Sequence, residues 1–164
     1  MPQYHISFAE KLSQVARLVL LDGIVEIDAQ RTVLYLSLLS TEIALKAMLE
    51  QAGKPIDEIR SRSHNITALL SDLDRCSVLA EIVPGEVRAC PASRIRSHLL
   101  IYGAATVTVG AVIATTTDAA SKYPNEVRYG DQITHYPADV MVQLAEKVVY
   151  FARCNWDCLR LCQS

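Results

Sequence analysis

Leu99-Leu100-Ile101-Tyr102-Gly103-Ala104-Ala105-Thr106-Val107-Thr108-Val109-Gly110-Ala111-Val112-Ile113-Ala114-Thr115-Thr116-Thr117 is a run of nineteen residues without a charge, bounded by His98 and Asp118. Its length matches a membrane span. Five Thr and two Gly dilute it, however, and the Thr115-Thr116-Thr117 end is poorly suited to hydrocarbon, so no membrane segment is expected. The run reads instead as a buried helix. Gly103, Val107, Gly110 and Ala114 recur at i, i+4, i+7 and i+11, a seam of small residues on which a second helix can sit closely. The alternation Thr106-Val107-Thr108-Val109 keeps a short strand open as the second reading.

Towards the N-terminus the pattern is helical. Ser7 and Glu10 have capping-box spacing, and Phe8, Leu12, Val15 and Val19 then recur on one face up to Gly23. A long second helix is expected over residues 28–51, closed by Gly53-Lys54-Pro55. Val33, Leu36, Leu39 and Ile43 give it one apolar face, and Leu34, Leu38, Leu45 and Leu49 a second, so it should be central. Glu42 and Lys46 form an i, i+4 pair on it. Ile66, Leu69, Leu70 and Leu73 carry a third helix to about Cys76, Val83-Pro84-Gly85 marks a turn, and a fourth helix is expected from Arg94. Residues 122–136 read as a connector. Pro137 then opens a last helix with the stripe Val140, Leu144, Val148, Phe151 and Leu159.

Composition agrees with one compact unit over residues 1–164. The chain is 51% apolar and 21% charged with a net charge of −2, which excludes extensive disorder and any global basic field. Ten aromatics, seven of them Tyr, against abundant Leu and Ala favour helices. Five Cys without paired spacing, and Glu10, Lys11 and Arg17 interrupting the N-terminal apolar residues, point to a cytoplasmic protein without a signal peptide. The expected architecture is all-α, a four- to five-helix up-and-down bundle. Two apolar faces in so small a chain leave more hydrophobic surface than one bundle covers, so a homodimer is expected.

Thr41-Glu42-Ile43-Ala44-Leu45-Lys46-Ala47-Met48-Leu49, followed by Ser63-His64-Asn65-Ile66 and Leu69-Leu70, resembles the helical motifs of the HEPN family. Glu126-Val127-Arg128-Tyr129-Gly130-Asp131 is similar to that family's R-Y-P-D element, with Gly130 in place of Pro. The likeness covers residues 35–73 and 122–152 and leaves residues 77–122 without a placed motif. The resemblance implies a helical module that is frequently dimeric and that binds a nucleotide, RNA or a partner protein, for instance a nucleotidyltransferase or an antitoxin. It also implies an alternative, a metal-independent endoribonuclease of toxin or defence type. Catalytic members carry an Arg and a His with four to six residues between them, and Arg128 and His135 match, with six. A guanidinium could stabilise the phosphorane while an imidazole moves the proton. Tyr129 stands where active members carry a small polar residue, which favours the module without catalysis of its own. A third reading is a purely structural oligomerisation protein.

Two further patterns bear on binding. Arg60-Ser61-Arg62-Ser63-His64 and Arg94-Ile95-Arg96-Ser97-His98 each set Arg and His four apart, on one face if helical. If they converged, Arg60, Arg62, His64, Arg94, Arg96 and His98 would form a phosphate site. Cys154, Cys158 and Cys162 fall at i, i+4 and i+8, one side of a continuing helix, and lack the second pair of a zinc site, so no metal and no cofactor is expected. Asp72 with Asp74 is too ordinary a pair to signal acid/base or metal chemistry. No phosphate-cradling glycine loop, H-E-x-x-H or G-x-S-x-G occurs, which removes the common nucleotide hydrolase, zinc protease and serine hydrolase readings.

Overall fold

The computed structural model describes residues 2–115 and 136–162. Along them run α1 (Ile6–Asp22), α2 (Ile27–Ala52), α3 (Ile56–Ser61), α4 (Ile66–Asp72), β1 (Cys76–Val83), β2 (Glu86–Pro91), β3 (Leu99–Tyr102), β4 (Ala105–Thr108), α5 (Val109–Thr115), α6 (Ala138–Cys154) and β5 (Arg160–Leu161). Tighter 3₁₀ turns occupy Leu73–Arg75, Ala92–Ser97 and Trp156–Cys158. The strands form two antiparallel sheets, one ordered β2-β1-β5 and one a β3-β4 hairpin.

The all-α expectation is therefore corrected: the fold is mixed α/β, with helices in the majority. The buried helix expected over residues 99–117 gives way to two strands across 99–108, where the second reading, a short strand, holds for β4; residues 116 and 117 lie outside the described residues. Gly103, taken for a seam residue, holds φ +60° in the two-residue loop between Tyr102 and Ala105, a backbone region that glycine enters without penalty. The chain folds back there, pairing Leu99 with Thr108 and Ile101 with Thr106. Val107 thus lies on a strand, and only Gly110 and Ala114 of the seam share a helix. The second hairpin has the same origin. Pro84 and Gly85, the latter at φ +85°, turn β1 into β2, and the Gly85 N–H donates to Glu81 Oε1 at 2.6 Å.

Gly110 is nonetheless tightly placed. A β-carbon there would lie 3.1 Å from Arg96 Cβ and 3.2 Å from the Arg96 carbonyl oxygen. Gly110→Leu should cost about 1–3 kcal/mol through overpacking, partly offset by the helix propensity of Leu. Urea denaturation measures it, and unchanged stability would show that the Arg96 segment yields.

Three helices carry the core. α2 packs against both α1 and α6 and buries its Leu34, Leu38, Leu45 and Leu49 face, with Leu45, Met48 and Leu49 fully enclosed, whereas on the other face Val33 is buried and Leu36, Leu39 and Ile43 are only partly so. Each such side chain contributes about 1.5–3 kcal/mol relative to exposure. This helix is long and apolar enough to cross a membrane, but most of that apolar stretch is buried inside the fold. α1 meets α2 through Ala9, Ser13 and Ala16, small residues that let the Ser40 hydroxyl donate to the Ala9 carbonyl at 2.7 Å. The stripe expected to be buried on α1 is corrected: Phe8 is 53% and Val15 46% exposed. The Ser7/Glu10 capping box does not form, since His5 precedes the first turn and no side chain caps it. α6 buries Val140, Leu144, Val148 and Phe151 as expected, whereas Leu159 is buried from beyond the helix end. The expected third helix stops at Asp72, and only a 3₁₀ turn forms around Arg94. The cysteine stripe is also corrected, because α6 ends at Cys154, Cys158 lies in a 3₁₀ turn and Cys162 follows β5.

Candidate functional site

Arg128 and His135 lie outside the described residues. The two Arg/His segments are described, and neither is one continuous helix. α3 ends at Ser61, and Ser63 adopts φ +50°, so the chain turns between Arg60 and His64. In the second segment the 3₁₀ turn ends at Ser97 and His98 is already extended.

Both segments reach the end of α4, and each spends one arginine there. The Arg62 guanidinium donates to Asp72 Oδ2 at 2.8 Å and Oδ1 at 3.0 Å, a bidentate pair that raises its pKa. Arg96 donates to Asp74 Oδ1 at 3.0 Å and to the Ser71 hydroxyl at 3.3 Å. Asp72 and Asp74 flank the fully buried Leu73, so the carboxylates dismissed as ordinary in the sequence hold the two segments in place. Arg60 pairs with Asp57 at 3.5 Å. These guanidinium groups are engaged by protein carboxylates.

His64 belongs to a different cluster. Its Nδ1 lies 3.0 Å from Glu42 Oε2, and Glu42 Oε1 accepts from Lys46 Nζ at 2.6 Å. Glu42 and Lys46 are almost fully buried, 3% and 7% exposed. The Tyr4 ring covers the ammonium at 5.4 Å. Glu50, two turns along α2, fixes that lid by accepting the Gln3 and Tyr4 backbone N–H groups, both at 2.8 Å. Helical spacing exposed the Glu42/Lys46 pair in the sequence. Its burial could not be read there, because it depends on the N-terminal segment lying across α2.

Arg94 and His98 part company with the rest. The His98 ring stacks edge-on against Phe151 at 5.4 Å, and its pKa is lowered by burial, then by the positive charges of Lys147 and Arg94. Lys147 stands one turn before Phe151 on α6. Among the described residues neither Arg94 nor Lys147 has a carboxylate partner. Beside this corner runs an open groove of about 410 Å³ lined by Leu99, Ile101, Gln143, Glu146, Lys147 and Tyr150. Tyr150 is 67% exposed, and the neighbouring Cys154 thiol raises its pKa. Glu146 is neutralised by Arg17, whose guanidinium meets both carboxylate oxygens at 2.8 and 2.5 Å. The Gln143 side-chain amide bonds both the N–H and the C=O of Ile101, at 2.9 and 3.1 Å, closing the free edge of β3.

Sequence reasoning named Arg94 and His98 but missed Lys147, Tyr150 and Gln143. Lys147 and Tyr150 do carry a faint signal, a cation and an aromatic three apart on the polar side of an amphipathic helix. Among the described residues no three His, Cys, Asp or Glu side chains gather as a metal site. Comparison with protein-family models, with curated proteins and with solved structures returned no match.

Proposed function

We propose that this chain is a binding module without catalysis of its own, with a HEPN-like helical core interrupted by two hairpins, and that its ligand carries phosphate, as a nucleotide or an RNA strand does. One observation supports this reading above the others: Lys147 lines an open groove next to Leu99, Arg94 and Lys147 both act on His98 by their charge, and among the described residues neither has a carboxylate such as those that occupy Arg60, Arg62 and Arg96. Cations without a carboxylate partner among the described residues, on a chain of net charge −2, favour a specific anion over a diffuse polyanion surface.

The test is fluorescence anisotropy with a labelled single-stranded oligoribonucleotide. Binding should weaken with salt, and Arg94→Ala/Lys147→Ala should flatten the dependence of log K on log salt by about 1.4, the loss of two phosphate contacts at ~0.7 each. Binding indifferent to that pair would overturn the site. Cleavage that survives EDTA and is lost in His135→Ala would replace the module by the metal-independent endoribonuclease.

A further inference from the structure

We infer that the groove beside Arg94, His98 and Lys147 receives a nucleobase, stacked on the Tyr150 ring and seated against Leu99 and Ile101, while the attached phosphate meets Lys147. The inference rests on the phosphate reading above and adds to it the part of the ligand that is not phosphate.

Lys147 and Tyr150 are three residues apart on α6, so their side chains stand side by side on one face. A base and the phosphate on its own sugar are separated by one ribose, a span of that order. The Tyr150 ring is 67% exposed and so open to a flat partner. Leu99 and Ile101, 56% and 64% exposed, supply the apolar wall that a flat base covers. Such a surface could also take a protein, but two features oppose that occupant. Gln143 already satisfies the backbone of Ile101, so an extended peptide finds no strand edge to join there. The carboxylate lining the groove is held by Arg17, which leaves Lys147 as its unpaired charge among the described residues. An aromatic platform next to a lone cation is the arrangement that recognises a base with its phosphate. Stacking reads the face of the base, so weak sequence preference is expected.

The test compares four probes, oligouridylate, oligoadenylate, AMP and inorganic tripolyphosphate, on the wild-type chain, Tyr150→Ala, Tyr150→Phe and Arg94→Ala/Lys147→Ala. Tyr150→Ala should weaken both oligonucleotides about tenfold or more and leave tripolyphosphate unchanged, while Tyr150→Phe keeps the affinity. AMP binding with the same Tyr150 dependence identifies a free nucleotide as sufficient, and binding of the oligonucleotides alone identifies a strand; either supports the inference. If all probes bind through Arg94 and Lys147 but Tyr150→Ala changes none of them, the base site is overturned and the phosphate reading stands. If no probe binds the wild-type chain, both fall.

Discussion

Glu42→Ala is expected to lower the stability of the fold by about 3–5 kcal/mol, because it strands the Lys46 ammonium in a site 7% exposed. The Tyr4 face remains as a partner, and a ring quadrupole is far weaker than a carboxylate at 2.6 Å. In a chain of this length that loss corresponds to a fall in Tm of roughly 10 °C. Glu42→Leu/Lys46→Met removes both charges and should recover most of the loss, since an apolar pair of similar volume has no desolvation penalty. Urea denaturation of the single and double variants measures this. A loss under about 1 kcal/mol for Glu42→Ala would mean that the pair is hydrated rather than buried.

Asp72→Ala should cost about 2–3 kcal/mol, in the range for hydrogen bonds to charged groups. Asp72 serves two cations, the half-exposed Arg62 through its bidentate pair and the buried Lys54 at 3.6 Å. They fare differently once it is gone. Arg62 can turn to solvent, whereas Lys54 is left with Glu58, 3.0 Å away and itself largely exposed. Adding Lys54→Met to Asp72→Ala should therefore restore more stability than adding Arg62→Ala. The reverse order would place the energetic weight on the exposed arginine.

The helices were legible because their information is local. The 3.6-residue spacing over 28–51 matches α2 nearly to the residue, with Gly53 at its end, and Pro137 marks the start of α6, whose expected stripe ran past its actual end at Cys154 to Leu159. The β3-β4 hairpin was missed because an uncharged run has no polar face to set its period, so residues 99–117 fit a buried helix and a buried strand almost equally. Gly103 decided between them, and a turn glycine looks the same in sequence as a packing glycine. Pro84-Gly85 was recognised as a turn, but the strands on either side of it were not.

The candidate site was legible in fragments. Repetition drew attention to both Arg/His segments, but repetition says nothing about neutralisation. Asp72 and Asp74 claim Arg62 and Arg96 only because α4 ends where both segments pass. Lys147 and Tyr150 lie roughly fifty residues from His98 and Leu99, and their meeting depends on β3 lying along α6, a tertiary fact without a local signature.

Imidazole NMR titration of the free and ligand-saturated chain, with oligouridylate as the ligand, tests the account most directly. In the free protein His98 should titrate below the ordinary 6.5, because burial and the charges of Lys147 and Arg94 disfavour the imidazolium. A phosphate held by those two cations adds negative charge beside the ring, so the His98 pKa should rise on binding. Saturable binding that leaves the His98 pKa unchanged would contradict the site assigned here.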